Sequence, residues 1–419
     1  MDKRKKKDSS LAKFLLLSAC LMACATGKAE AAVAATKAIP ANSFIDSLGV
    51  NTHFNYYPGE SNAYANMAQM ETEMRFLGVR YARDNIFSAQ SLANFQKMNT
   101  DVGTKFDFIT SSNVPQFIQQ LQANTRLIAE VEGPNEVDFS NMSYATAASI
   151  QKQLFTSMNA TSALANFPVD SASLALNQDI SKLGSQTSIC DYSTLHIYPQ
   201  FGGNSNVGGN ISWTMQAFAA QAAGRAPVVT EFGWWTVPYG GGMPFDAHAK
   251  YMLNFFFDAF NAGIHRSYYY ELNDEFADNG GSTIEYHFGL FTSTGAPKQA
   301  AVALRNVAIL LADPRPLAAT GSVAYSVSAT NTSAIKKMLL QRGDGTFILA
   351  LWQDPVLFNM DTNRPIAVAT MQALVNLGYT AKAVQTYDPM KGTAALTNNV
   401  NIAGLTVQVP DHPIFVFFK

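Results

Sequence analysis

Charged side chains are scarce in this chain. They make up 14% of its 419 residues, and 29 Lys+Arg against 31 Asp+Glu leave a net charge of −2. A nucleic-acid partner calls for a basic face that neutralises phosphates, and this balance offers none. Cysteine is scarcer still, with three in all. Cys20 and Cys24 lie near the N-terminus, so a processed chain would keep Cys190 alone. One thiol cannot close an internal disulfide, so stability must come from the core; Cys190 itself reads as apolar filler. Long apolar runs are missing too. The run Leu11 to Ala25 is broken by Lys13 and is short for a bilayer crossing. Several catalytic signatures are absent: no His-Glu-x-x-His for zinc, no Gly-x-Ser-x-Gly elbow, and no Lys-Ser/Thr after Gly240-Gly241-Gly242 to make a phosphate cradle. Neither a metal nor a cofactor is expected.

What is present is apolar and aromatic. Hydrophobic residues make up 47% of the chain, with 28 Phe and 16 Tyr. That fills a large core and suits neutral ligands such as sugars. Residues 1–31 have the form of a secretory signal: basic residues from Lys3 to Lys7, an apolar stretch, then Ala29-Glu30-Ala31 as a small-x-small cleavage site. Leu17-Ser18-Ala19-Cys20 also resembles a bacterial lipoprotein box, so a lipid anchor at Cys20 stays open beside soluble export to a secreted or periplasmic location. Residues 32–42 read as an Ala-rich linker.

From residue 43 to 314 strand-like and helix-like segments alternate, the pattern of a parallel α/β fold. Ile45 to Phe54 reads as a first strand. Met67, Met70, Met74 and Leu77 have helical spacing and end at Gly78, a C-cap. Strand candidates follow at Val79 to Arg83, Phe106 to Ile109, Leu127 to Val131, Val169 to Leu176, Tyr192 to Tyr198, Pro227 to Thr230 and Arg266 to Leu272. Eight strands, each with room for a helix after it, fit a (β/α)8 TIM barrel, whose active sites lie at the C-terminal ends of the strands. In residues 315–419 the pattern changes to short alternating runs. Asp344-Gly345 between two of them signals a hairpin, and Val368 to Leu377 reads as one helix. An antiparallel β-sandwich is expected there.

Two carboxylates stand out. Val131-Glu132-Gly133-Pro134-Asn135-Glu136 places an Asn-Glu pair behind a Gly-Pro break at the end of strand four. Thr230-Glu231-Phe232-Gly233-Trp234-Trp235 places a second Glu at the end of strand seven. In an eight-stranded barrel both can face one another across the bowl. Two facing carboxylates are what glycoside hydrolysis needs: one protonates the leaving oxygen, and the other attacks the anomeric carbon or activates water.

These motifs resemble the clan A glycoside hydrolases, in particular family 39-like and family 5-like members. The resemblance rests on Asn135-Glu136, on Glu231, on His196-Ile197-Tyr198 after strand six, and on the run Tyr268 to Glu275 with His287-Phe288-Gly289. It departs from the clan at the end of strand eight, where Tyr-Tyr-Tyr-Glu stands in place of the frequent Trp. The resemblance implies a retaining enzyme with Glu136 as acid/base and Glu231 as nucleophile. It implies that Arg83 and the Tyr198 hydroxyl hold the nucleophile, although Arg80 is an equally placed competitor. Asn135 would hold the sugar 2-hydroxyl and His196 would orient the nucleophile side. His53, Trp234, Trp235 and Tyr270 are candidates for the sugar-binding walls; in extended backbone the two adjacent Trp cannot both face the cleft. Glu132 and Asp138 read as supporting residues. The expected partner is an oligo- or polysaccharide with β-linkages, and the chain is expected to be a monomer. An inactive carbohydrate-binding protein, an envelope lipoprotein and a transglycosylase remain alternatives.

Overall fold

The computed structural model describes residues 33–54, 62–86, 88–202, 205–236, 242–278, 281, 283–315 and 319–419. The signal segment, the Cys20 box and most of the Gly240–Gly242 loop lie outside the described residues. Eight parallel strands close into a barrel. They are β1 (Leu48–Asn51), β2 (Tyr81–Asn85), β3 (Lys105–Ile109), β4 (Ile128–Glu132), β5 (Val169–Asp170), β6 (Tyr192–Ile197), β7 (Ala226–Phe232) and β8 (Ser267–Tyr269). Pairing of Ser267 with both Leu48 and Val229 closes the ring. β5 is only two residues long, which explains its weak sequence signal. Among the described residues the α-helices are α1 (Ala41–Ile45), α2 (Met67–Leu77), α3 (Ala89–Val102), α4 (Val114–Gln122), α5 (Tyr144–Ala160), α6 (Ile180–Leu183), α7 (Val207–Ala217), α8 (Phe245–Asn261) and α9 (Gln299–Leu311). The helix after β1, α2, ends at Gly78 with φ 73°, the left-handed cap its spacing predicts.

The helix after β7, α8 (Phe245–Asn261), is buried along most of its length. Such a helix has apolar partners on both sides. One side faces the barrel, where Phe255 stacks on Phe232 at 3.8 Å between ring centroids. The other meets the C-terminal region, where Phe257 packs against Trp352 and Phe415. Tyr251 on the same helix accepts the Leu357 N–H at 2.6 Å through its hydroxyl.

The C-terminal region is an antiparallel sandwich built from β9 (Ser326–Ala329), β10 (Ile335–Gln341), β11 (Phe347–Gln353), β12 (Met371–Tyr387), β13 (Thr397–Val409) and β14 (Ile414–Phe418). The Asp344-Gly345 hairpin joins β10 and β11 in register, Gln341 opposite Phe347. The helix expected over Val368 to Leu377 is instead the first half of β12. Its buried residues alternate as Ala373, Val375 and Leu377, a period of two. The exposed Leu374 between them gave the stretch the look of a continuous apolar run. Further along, the β12–β13 register shifts between Asn376 and Ala381. The first half of β12 pairs with β9 and the second half with β14. The stretch expected to be a linker also has partners: Thr36–Lys37 pairs with Ser322–Val323, and Ile39–Pro40 runs parallel to Leu340–Gln341.

Beside α8, His412 links parts of the sandwich. Its ring nitrogens lie 2.9 Å from Asp411 Oδ1 and 3.0 Å from Asp388 Oδ1. Asp411 in turn meets Lys250 of α8 at 3.1 Å. Burial alone would lower the His412 pKa, but the two carboxylates outweigh it and raise it above 6.5. Asp388 is lowered to about 2: burial opposes this, and its hydrogen bond and charge interaction with His412 prevail. A raised histidine contributes stability that is complete below its unfolded value and lost as pH rises through its folded one. A depressed aspartate contributes stability that is lost as pH falls through its folded value. The contact is therefore firmest between the unfolded Asp value of 3.8 and the unfolded His value of 6.5. The melting temperature is expected to fall from pH 6 to pH 9, and to fall less in His412→Gln; calorimetry across that range checks it.

Candidate active site

The chain leaves β4 without returning to a helix at once. Gly133 packs so closely that a Cβ there would run into the Gln151 side chain and the Ala172 backbone. Pro134 offers its carbonyl to the Ser173 N–H at 2.9 Å, and Val137 N–H donates to Ser173 O at 3.1 Å. The Gly-Pro break therefore extends the sheet contact as a loop laid against the segment after β5. Glu136 follows in a left-handed conformation, φ 37°. For a non-glycine residue this costs about 1–3 kcal/mol and often marks a functional position. Ser173 holds it there: its hydroxyl accepts the Glu136 N–H at 2.9 Å and donates to Asn135 Oδ1 at 3.1 Å.

Glu231 arrives from β7 and points across the mouth of the barrel. Arg83 Nη1 donates to its Oε1 at 2.7 Å, and the Tyr198 hydroxyl donates to its Oε2 at 2.6 Å. Burial alone would raise the Glu231 pKa; the charges of His196 and Arg83 and these two hydrogen bonds outweigh it and hold it below the ordinary 4.5. The Arg83 guanidinium uses its remaining N–H groups on Asn51 at 2.9 Å, on Asn135 at 2.7 Å, and on both oxygens of Glu132. With its carbonyl oxygen taken by Arg83 and Ser173, the Asn135 amide is left to present its NH2 group to the cleft.

His196 lies between the two carboxylates. Its Nδ1 is 2.9 Å from Glu136 Oε1 and 3.5 Å from Glu231 Oε2. Burial alone would lower its pKa, but Glu231 and Glu136 together raise it above 6.5. One oxygen of Glu136 and one of Glu231 lie within 4.8 Å of each other. The pair sits in a cleft of about 1040 Å³.

His53 and Tyr270 line this cleft as expected. Burial lowers the His53 pKa to about 4, so the ring is neutral near pH 7. The Tyr270 hydroxyl donates to Glu285 at 2.9 Å, and the peptide from Tyr270 to Glu271 is cis. Of the two competing arginines, Arg83 is in the site. Arg80 lies outside, half-exposed and paired with Asp46 at 2.7 Å.

The two tryptophans correct the sequence reading. Trp234 is buried and stacks on Tyr251 of α8. Trp235 is buried against Phe201 and Phe288. Neither lines the cleft; Trp235 backs two residues that do. The Gly-Trp-Trp run therefore turns both indoles into packing, whereas alternation alone would have left one of them facing the cleft.

Sequence reasoning missed Asn51, Ser173, Glu285, Phe201 and Trp213. Asn51 ends β1 and ties Arg83 to the Thr230 and Tyr268 carbonyls; its place beside His53 at a strand end was the available signal. Asp138 accepts the Ala175 and Leu176 N–H groups, fixing the loop after β5.

Among the described residues, three clusters bring ligand-type atoms within 4.8 Å of one another: Glu136/His196/Glu231, His53/Glu271/Glu275 and Asp107/Glu130/Asp170. In the first, Arg83 already places a cation on Glu231. In the third, burial pushes Asp107 up to about 8, so this acid holds a proton near pH 7.

No protein-family model matches the chain, and no curated protein matches it. Solved structures do. The fold, a (β/α)8 barrel carrying a β-sandwich, is similar to that of solved glycoside hydrolases. A family 39 glycoside hydrolase from Bacteroides cellulosilyticus WH2 superposes with a TM-score of 0.61 at 13% identity, covering 91% of this chain and 82% of that one. A glucosidase from Croceicoccus marinus gives 0.56 at 9% identity, covering 88% of this chain and 94% of that one.

Breaking a buried ion pair from one side leaves a charge without a partner, at a cost of about 3–5 kcal/mol. Arg83→Gln is expected to lose about that much stability in guanidinium denaturation. The double variant Arg83→Gln/Glu132→Gln should recover part of the loss, because the orphaned Glu132 charge is gone.

Proposed function

We propose that this chain is an exported retaining glycoside hydrolase acting on a β-linked oligo- or polysaccharide. The observation that carries this reading is the carboxylate pair Glu136 and Glu231, with oxygens within 4.8 Å on the floor of an open cleft. So close an approach favours direct attack by one carboxylate, as in retaining enzymes, over the wider gap that an inverting enzyme needs to admit a water. The names of the two fold neighbours, a family 39 glycoside hydrolase and a glucosidase, support the reaction class.

In this reading Glu231 stays ionised, since Arg83 and Tyr198 each hold one of its oxygens. A carboxylate oxygen attacks the anomeric carbon while the glycosidic C–O bond breaks and Glu136 gives its proton to the leaving oxygen. The product is a glycosyl ester on Glu231. Glu136, now ionised, takes a proton from water; the hydroxide portion attacks the anomeric carbon, and the ester bond breaks. Glu231 is released as carboxylate and the sugar leaves with its starting configuration. His196 reaches both carboxylates and, when protonated, offsets their mutual repulsion as the proton moves. Asn135 presents its NH2 where a 2-hydroxyl would lie, a contact that strengthens in the transition state. Export rests on the signal-like residues 1–31, with the Cys20 anchor as its variant.

Glu231→Gln is expected to abolish turnover of aryl β-glycosides. Glu136→Gln should lower it by about 10²–10⁴-fold, the range of general acid–base catalysis. Because Glu231 is held below 4.5, kcat/KM should persist down to that pH and fall only beneath it. The first product, followed by NMR, should keep the anomeric configuration of the substrate. Inversion would refute the double displacement, and sugar binding without turnover would leave a binding protein.

A further inference from the structure

The cleft has two unlike walls. On one side stand His53, Asp84 and Glu285; on the other is an arc of Phe139, Leu176, Phe201 and Trp213. All four side chains of the arc are solvent-exposed, Trp213 at 60% and Phe201 at 71%. The other three tryptophans, Trp234, Trp235 and Trp352, are buried. An apolar patch left open on a chain that can bury its aromatics elsewhere marks a binding surface. Its position tells which one. Phe139 belongs to the Glu136 loop, its N–H donating to Glu136 O at 2.9 Å. Leu176 is tied to that loop through Asp138 at 2.7 Å. The arc therefore flanks the proton donor, the side from which a leaving group departs.

We propose that this arc is the leaving-group subsite, that it takes an uncharged ring with an apolar face, and that the sandwich sets its geometry through Asp354. The inference rests on the glycosidase reading above. Charge selects the ligand. Arg83 is the only Lys or Arg among the described lining residues, and its N–H groups are engaged by Asn51, Glu132, Asn135 and Glu231. Asp84, Glu136, Glu231 and Glu285 line the same cleft. A uronate or sulfated ring would meet the Glu136, Glu231 and Glu285 carboxylates, while the Arg83 N–H groups are engaged and His196 is held between Glu136 and Glu231. A flat aromatic face suits the C–H face of a neutral sugar or an aryl group.

Trp213 rides on α7 (Val207–Ala217), and this helix is held at its start from outside the barrel. Asp354, just past β11, accepts the Val207 N–H at 3.2 Å, the Gly208 N–H at 2.9 Å and the Asn206 side-chain amide at 3.0 Å. These are orphan donors of a helix N-terminus, which a carboxylate both satisfies and stabilises. Lys336 of β10 bridges Asp354 and Asp258 of α8, at 2.8 Å to each. A Cβ on Gly208 would push the Lys336 ammonium aside. Asp354 is a positioning residue: it sets where Trp213 stands without touching the sugar.

The test compares substrates that share a glycone and differ in leaving group. A panel of neutral β-glycosyl fluorides, the matching 4-nitrophenyl β-glycosides and neutral β-linked oligosaccharides is assayed with wild type, Trp213→Ala, Trp213→Phe and Asp354→Asn. On the glycone that wild type cleaves, Trp213→Ala should lose at least about tenfold more kcat/KM on ring-bearing leaving groups than on fluoride, the scale of a buried Trp anchor. Trp213→Phe should recover most of this. Asp354→Asn should shift KM in the same direction with a smaller effect on kcat. A greater loss on oligosaccharides than on 4-nitrophenyl glycosides identifies a sugar as the occupant; the reverse identifies an aryl group. Equal losses on fluoride and ring-bearing substrates would overturn the subsite. If wild type cleaves nothing in the panel, the glycosidase reading fails, and binding decides the rest: neutral oligosaccharides titrated into Glu231→Gln should shift tryptophan emission, and that shift should vanish in Glu231→Gln/Trp213→Ala. No shift would overturn the inference on its own.

Discussion

Everything at the mouth of the barrel hangs on one buried guanidinium. Arg83 is almost fully enclosed, and its planar fork contacts side chains delivered by β1, β4, the loop after β4, and β7. Arginine suits this role because it stays charged when buried and binds carboxylates through two parallel bonds. Lysine would offer a point charge and lose the geometry. Glu132 takes two of its N–H groups, and Glu231, held by a third and by the Tyr198 hydroxyl, is kept ionised. The contrast with Glu136 follows from placement: Glu231 touches Arg83, while Glu136 faces the cleft and touches His196. Two carboxylates a few ångströms apart are thus given different partners, which is how one site assigns different tasks to the same functional group.

Much of this was legible in the sequence. The two catalytic candidates were visible because Glu136 stands just behind an apolar run and a Gly-Pro break, and Glu231 ends an apolar run ahead of Phe-Gly-Trp-Trp. The barrel was visible in the alternation, and the hairpin in Asp344-Gly345. What escaped depended on partners far along the chain. Trp213 looked like any residue of an amphipathic helix, because its facing is set by Asp354, 146 positions from Gly208. Trp234 and Trp235 looked like cleft walls because a tryptophan beside a catalytic strand end often is one. Here α8 and Phe201 supply apolar cover for both. β12 was mistaken for a helix because exposed Leu374 masked its two-residue period. In each case local pattern was overruled by what packed against it.

The sandwich is more than an appendage in this arrangement. Residues 36–40 pair with the C-terminal region before the barrel begins, so segments from both sides of the barrel sequence pair with each other. Asp354, Lys336 and Trp352 reach back to α7 and α8. The wall of the cleft nearest Glu136 is therefore anchored in residues more than a hundred positions downstream of it.

Burial of α8 on two sides has a consequence for how the molecule comes apart. Phe257, Phe255 and Tyr251 divide their contacts between barrel and sandwich. Neither half can be removed without exposing a row of aromatic rings to water. The two regions are thus a single cooperative unit on melting rather than two beads on a string. A shortened chain ending at the barrel would be an aggregation-prone fragment.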